Sequence, residues 1–397
     1  MLLVQAYLKS GKTLDDLKVE HGVYSTITNG KIGLNYDQLE SSNSDQLACE
    51  CRGLILREST YDIVACPMFR FFNLEQKEVA AKIDWSSAGF FEKMDGTCAI
   101  VYFDHVLKKW CLGTRGRPEA DIGIDGSDIT FSMLADQICK RMWNRFNPQR
   151  DDISLQDLME EIASYSKDMT FVFELTSPLN RIVCKYNDYD LTLLAVRNNN
   201  TLQEEDPKLW LKDNSFGLAT PKEYEFKNVH HMVQVIREWN PEDHEGVVVR
   251  DKNYNRIKVK NPSYVAYSHM RDSLSTSIKG CIEVILLGKD DDVVAMMPDA
   301  IVDRINKLKP LIKHVLSQTQ KDYDEIKDID DMKYFASKAV LCLWPAALFA
   351  LKRGKTKDLY SFALGNKPGE SKLPATATKT MLELCKKLDP DVGKLDL

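Results

Sequence analysis

The chain has 397 residues, 44% of them apolar, and a formal net charge of −6. That length exceeds one ordinary domain and supplies side chains for sizeable cores, so two domains are expected. The acidic balance excludes polynucleotide binding by bulk charge, so any nucleic acid must be held in a local basic cleft.

No run of about 18 apolar residues offers a membrane span. The start MLLVQAYLKSGK lacks the basic lead and long apolar core of a signal peptide, and a cytoplasmic protein is expected. Ten scattered cysteines without a CxxC pair read as buried reduced thiols. The seven histidines show no metal-ligand spacing.

In chain order, residues 1–50 read as mixed structure. GLILRE (Gly53–Glu58) and YDIVACPM (Tyr61–Met68) predict a hairpin, and CAIVYF (Cys98–Phe103) with KWCLGTRG (Lys109–Gly116) a second strand pair. Residues 128–166 turn helical in period, with DISLQDLMEEIASY the clearer segment and Asp152 its expected N-cap. TFVFEL (Thr170–Leu175) and DLTLLAV (Asp190–Val196) read as strands, GVVVRD (Gly246–Asp251) and NRIKVK (Asn255–Lys260) as a hairpin. Beyond Asn261-Pro262 long helical periods dominate, as in MKYFASKAVLCLWPAALFALKR, with KPGESKLPATA a loop. The reading is α+β to about residue 270 and all-α after it.

FFEKMDGTCAIVYF sets Lys93 between apolar flanks and follows it with Asp95-Gly96, a tight turn able to aim the amine into a cleft. Taken alone, such a lysine can equally be structural. A lysine amine attacks only when neutral. With an ordinary pKa of about 10.4, reaching neutrality at pH 7 takes roughly 4.6 kcal/mol from burial and nearby positive charge. A chain using this amine should therefore supply cations and a phosphate cradle elsewhere.

RIKVKN places Lys258 and Lys260 on one face of a strand, the alternative being a solvent-facing strand edge. HEGVVV puts Glu245 at a strand mouth, as a metal ligand or as a plain turn acid. ECRGLIL sets Arg52 at a strand start, and PMFRFFNLE sets Arg70 among Phe69, Phe71 and Phe72. GTRGRP offers Arg115 and Arg117 between glycines, and FELTSPLNRIV carries Glu174 at a strand end.

The order of these segments resembles that of covalent nucleotidyltransferases: Arg-Gly, Lys-x-Asp-Gly, a strand ending in Glu, Glu-Gly-x-Val, Lys-x-Lys. Within that superfamily the sequence looks most like the T4-type RNA ligase 1 family. ECRGLIL, PMFRFFNLE, FELTSPLNRIV, LLAVRNN, HEGVVV and RIKVKNPSYV each resemble its segments over about residues 45–265.

The resemblance implies a nucleotidyltransferase domain (ATP-grasp-like, antiparallel sheets with flanking helices) over 1–270. An all-helical domain, concerned with RNA or tRNA specificity, follows over 271–397. It implies ATP as AMP donor, Mg²⁺ or Mn²⁺, and RNA with 5′-phosphate and 3′-hydroxyl ends, including cleaved tRNA, in a host cytoplasm if the source is a phage. By residue, it implies that Lys93 accepts AMP while Asp95 and Gly96 complete its turn. Arg52 contacts the sugar, Arg70 the phosphates, with Phe72 packed beneath. Arg115 contacts a phosphate or the incoming strand, and Glu174 reads the sugar or the lysine's setting. Glu245 helps hold the cation, Val248 and Tyr264 line the adenine pocket, and Lys258 and Lys260 grip the α-phosphate. Asp291, in Asp290-Asp291-Asp292, matches a metal-linked aspartate or belongs to a solvated acidic loop. Arg70 and Arg115 stand where the compared family member has lysine. The rivals are a DNA ligase, a GTP-dependent capping-type enzyme, and a non-catalytic RNA-binding protein.

Overall fold

The computed structural model describes residues 1–37, 40–76, 82–124, 128–212, 215–275, 277–288, 290, 299–365 and 373–392. The chain forms two compact units, Met1–Val265 and Ala266–Leu397.

The first unit is built on three sheets. One is an antiparallel meander of β1 (Val23–Thr28), β2 (Lys31–Tyr36), β3 (Arg52–Arg57) and β4 (Ile63–Ala65). Leu34, Leu54 and Leu56 from it pack with Leu8 and Leu17 of the helices Leu3–Lys9 and Leu14–His21. The strands predicted over Gly53–Glu58 and Tyr61–Met68 do pair as neighbours here.

The other two sheets include β5 (Phe72–Asn73), β6 (Gly89–Glu92), β7 (Thr97–Asp104), β8 (Lys109–Thr114), β9 (Met169–Thr176), β10 (Asp190–Asn198) and β11 (Glu204–Glu205). They are completed by β12 (Glu223–Tyr224), β13 (Gly246–Arg250) and β14 (Arg256–Lys260). One sheet has the order β11-β10-β9-β7-β8, the other β12-β6-β13-β14-β5. Pairings are antiparallel except that of β14 with β5. The β9 sheet buries Phe171, Phe173 and Leu193 against the helices Phe131–Phe146 and Leu155–Ile162. The β13 sheet buries Val247, Val249, Ile257 and Val259 against Met232 and Ile236 of helix Val229–Glu238. These alternating apolar positions are the period-2 signal of half-buried strands.

The helix Leu155–Ile162 is capped two residues later than the N-cap expected at Asp152. Ser154 is its cap, with Asp157 Oδ2 accepting the Ser154 N–H at 3.0 Å, whereas Asp152 is drawn off to Arg150 at 2.7 Å.

The second unit is helical, as expected, and includes Ile278–Leu286, Asp299–Ile326, Met332–Ala339, Pro345–Lys352, Leu359–Ala363 and Ala375–Leu388. The run MKYFASKAVLCLWPAALFALKR is not one helix. It breaks before Pro345, which lacks an N–H and takes the first position of the next helix. Among the described residues no helix is long and apolar enough to cross a membrane, and all ten cysteines are free thiols.

Candidate active site

Lys93–Gly96 is the crossing from β6 of one sheet to β7 of the other, so its residues face the cleft between them. The Lys93 N–H donates to Gly246 O at 2.9 Å, tying the lysine to the mouth of β13. Asp95 is 2% exposed and fully used. Its Oδ2 accepts the N–H groups of Val183 (2.9 Å) and Cys184 (2.8 Å), and its Oδ1 accepts the Tyr264 hydroxyl (2.6 Å). Asp95 thus anchors the turn. Gly96 donates its N–H to Glu174 Oε1 at 3.0 Å. A Cβ at Gly96 would lie 2.4 Å from Leu175 O, so only glycine fits.

Glu245 is the centre of the charge arrangement. It is 3% exposed, and its two oxygens are shared between Lys93 Nζ (2.7 Å) and Lys260 Nζ (2.8 Å). The chain reaches this position through Gly246 at φ +152°, where a Cβ would sit 2.1 Å from Val259 O. The β13–β14 register sets Gly246 opposite Lys260 and Val248 opposite Lys258, which brings the two lysines to the same mouth.

Burial pulls the pKa of Lys93 down, but Glu245, Glu174 and Asp95 together outweigh it and hold the ammonium above the ordinary lysine range. This corrects the expectation that burial and cations leave the amine neutral in the free chain. Burial does act in that direction, but the carboxylates around the lysine win. Burial also pushes Glu245 up, and the opposing Lys93 and Lys260 bring it net below the usual range. Glu174 is pushed up to about 7, mainly by burial. Lys258 falls to about 8 through burial and the positive charges of Lys93, Lys260 and Arg52.

Of these groups, Lys93 and Glu174 border a pocket of about 80 Å³ lined also by Arg52, Phe71, Glu92 and Val248. Arg52 Nη1 is buried in it with no hydrogen-bond partner. An orphaned guanidinium nitrogen is costly to keep, so it signals an anionic or polar ligand. The Arg52 plane lies over Phe71, 5.2 Å from the ring centroid, and Lys258 Nζ lies 5.7 Å from the same centroid.

The structure thus brings Arg52, Lys93, Gly96, Glu174, Glu245, Val248, Lys258 and Lys260 together. Others it places elsewhere. The Arg70 guanidinium is held between Tyr36 (4.2 Å) and Phe72 (5.1 Å) and donates to Ser41 O and Asn43 Oδ1, so Arg70 and Phe72 line a neighbouring groove. Tyr264 is 3% exposed with its hydroxyl bonded to Asp95, and it supports the turn from below instead of lining this pocket. Arg115 is exposed at the end of β8, its Cα 3.0 Å from the point where a Gly53 Cβ would stand. Asp291 lies outside the described residues. Among those described, no group of three or more His, Cys, Asp or Glu forms a ready metal cage.

A model of the T4-type RNA ligase family, described as RNA ligase, matches residues 50–264, more than half of the chain. The chain belongs to this RNA ligase family. A protein of Autographa californica nuclear polyhedrosis virus, named as a bifunctional polynucleotide kinase/RNA ligase, is 31% identical over 278 residues. That match covers 67% of this chain and 37% of the viral protein. An RNA ligase of Rhodothermus phage RM378 is 22% identical over 334 residues, covering 71% of this chain and 73% of the phage protein. Among solved structures, an archaeal ATP-dependent RNA ligase is similar at 15% identity and a TM-score of 0.39, over 69% of this chain and 67% of that one.

Within this RNA ligase family chain, sequence reasoning overlooked three features of the site. Phe71, not Phe72, floors the pocket under Arg52 and Lys258. Glu92, beside the Lys93 turn, lines the pocket with Oε1 3.0 Å from His244 Nδ1. Glu204 on β11 bridges Arg197 of β10 and Arg256 of β14 at 2.5 Å each, tying the two sheets across the cleft. The adjacency of Glu92 to Lys93 was visible in the sequence. The Glu204 bridge was not, because its partners lie 7 and 52 residues away.

Proposed function

We propose that this chain is an ATP-dependent RNA ligase that joins a 5′-phosphate end to a 3′-hydroxyl end through AMP linked to Lys93. The observation that carries the reading is the convergence of Lys93, Glu245 and Lys260 beside a pocket whose buried Arg52 nitrogen lacks a partner. The unit Met1–Val265 contains all these groups, which supports reading it as an adenylyltransferase domain of the ATP-grasp-like type. The helical remainder is then the part that selects RNA, cleaved tRNA among its substrates.

The neutral Lys93 amine attacks the α-phosphorus of ATP. A P–N bond forms, the bond to the bridging oxygen breaks, pyrophosphate leaves with the electron pair, and the nitrogen sheds its proton. An oxygen of the RNA 5′-phosphate next displaces the lysine from AMP. The 3′-hydroxyl then displaces AMP from the activated end and seals the strand. Covalent capture divides one condensation into transfers with good leaving groups.

Lys258 and Lys260 oppose the charge that shifts at phosphorus, and Arg52 supplies a fixed donor to the nucleotide. Glu92 brings a carboxylate acceptor, which suits the exocyclic amine of adenine and disfavours the carbonyl of guanine; this supports ATP over GTP.

A divalent cation of the Mg²⁺ or Mn²⁺ class fits the donor set. One or two carboxylates completed by water and substrate phosphate are its usual holders, and Glu245 with Glu174 meet that description. When bound, it would draw the carboxylate charge away from Lys93 and so favour the neutral amine.

The test is transfer of label from α-labelled ATP to protein. Wild type should carry one AMP and Lys93→Ala none. Acid-labile labelling that persists in Lys93→Ala would reject the assignment.

A further inference from the structure

Beside the Lys93 pocket runs a second, larger groove of about 790 Å³, bordered in part by Arg70, Phe72, Arg197, Gln203, Tyr254 and Arg256. Phe71 and Arg256 line both cavities, so the two adjoin. We propose that this groove is the track along which single-stranded RNA reaches the reactive lysine, an assignment that rests on the RNA-joining reading above.

Size is the first argument. The groove is the larger of the two cavities, as a strand of several nucleotides requires. Charge is the second. The chain is acidic overall, yet the groove gathers Arg70, Lys82, Arg197 and Arg256 against the single acid Glu204, itself bonded to Arg197 and Arg256. A local excess of cations on an acidic chain is what a phosphate backbone requires.

The third argument is the state of the arginines. Arg70 lies between the Tyr36 and Phe72 rings, and Arg197 lies 4.2 Å from the Phe69 centroid. Stacking fixes the guanidinium planes, and Arg70 spends its N–H groups on the neutral acceptors Ser41 O and Asn43 Oδ1, which leave its positive charge for a phosphate. Arg197 is 7% exposed, and its Nε is buried without a hydrogen-bond partner. Its terminal nitrogens donate to Pro67 O and to Glu204, so Arg197 forms part of the groove's wall. The part-exposed rings of Phe72 and Tyr254 offer faces for bases, which single-stranded RNA presents and an acidic peptide does not.

Gln203 and Asn253 are exposed side chains on this groove, outside the Lys93 pocket. Gln203→Glu with Asn253→Glu adds two negative charges, and Gln203→Lys with Asn253→Lys adds two positive ones. RNA affinity is measured with two 12-mers, one bearing a 5′-phosphate and a blocked 3′ end, the other a 5′-hydroxyl and a free 3′-hydroxyl. The glutamate pair should weaken binding of at least one by about tenfold. The lysine pair should tighten it and steepen its salt dependence by roughly 0.7 per added contact. Whichever 12-mer responds identifies the strand that uses the groove.

Transfer of AMP from ATP alone, measured on the same proteins, should stay at the wild-type level. A chain that binds and responds but never takes up AMP would sink the ligase reading and leave the groove standing. Changes in the same direction for both pairs, no change for either RNA, or no RNA binding by wild type would overturn the groove.

Discussion

Lys93 Nζ and Glu245 Oε2 meet at 2.7 Å, and the other oxygen of the same carboxylate holds Lys260. In the proposed reaction, one buried acid would hold the nucleophile in its charged, unreactive form and share itself with a lysine that grips phosphate. Glu245→Gln removes the largest influence raising the Lys93 pKa, so Lys93 should react faster with an amine-acylating reagent at pH 7–8. Peptide mapping by mass spectrometry reads the rate. The same variant should lose AMP transfer at least 100-fold and, through an unpaired buried charge, about 3 kcal/mol of stability. An unchanged Lys93 acylation rate would refute the pairing.

Glu174 has a folded pKa of about 7 against an ordinary value of 4.5. A group raised on folding contributes stability fully below its unfolded value and loses it as pH rises through the folded one. The carboxyl thus burdens the fold above pH 7 and is silent at pH 4.5. Glu174→Gln should raise the melting temperature at pH 8, by the equivalent of up to roughly 3 kcal/mol, and leave it nearly unchanged at pH 4.5, while AMP transfer falls. A gain of equal size at both pH values would mean that the charge is not its source.

Lys258 is depressed on folding, to about 8 from 10.5. Its contribution has the opposite sign: stability rises with pH from about 8 to 10.5 as the unfolded lysine keeps a proton that the folded one has lost. A triphosphate arriving beside it should restore that proton. Calorimetric titration with a non-hydrolysable ATP analogue, without metal, in two buffers of different ionisation enthalpy should show uptake of about half a proton at pH 8 and almost none at pH 6. Equal uptake at the two pH values would rule Lys258 out as the group that responds.

Lys31 of β2 is fully buried, with Asp104 of β7 and Glu119 both at 2.8 Å, and Asp104 also takes Arg57 at 3.0 Å. This pins the first sheet to the β9 sheet, away from Lys93. Lys31→Met removes the buried cation shared by two carboxylates and should cost about 3 kcal/mol in urea unfolding, with AMP transfer per folded molecule unchanged. A cost under about 1 kcal/mol would show that the cluster is not holding the sheets.

The hairpins at Gly53–Met68 and Gly246–Lys260 were legible because each is local and alternates with period two. So was the charged constellation, since Lys93, Glu245 and Lys260 stand at strand ends that the sequence marks and Lys258 shares a strand face with Lys260. What stayed hidden was pairing across the cleft. Nothing local says that Glu245 lies closer to Lys93 than the cations do, and this reversed the expected charge state of the amine. The choice between Phe71 and Phe72 turned on the short parallel pairing of Phe72 with Ile257, a contact between segments 185 residues apart.

Glu92 gives the last prediction. Its carboxylate lies in the pocket with Val248, steadied by His244 at 3.0 Å, and it can only accept hydrogen bonds when ionised. Adenine offers an amine at the position where guanine offers a carbonyl, so a carboxylate there rewards one base and leaves two acceptors facing each other with the other. Glu92→Gln presents both a donor and an acceptor in the same volume. Preference for ATP over GTP in label transfer should therefore fall by roughly tenfold or more, chiefly through improved use of GTP. Glu92→Ala should weaken both nucleotides without improving GTP. If the glutamine variant retains the full wild-type preference, base selection lies in another part of the pocket and Glu92 serves only to hold His244.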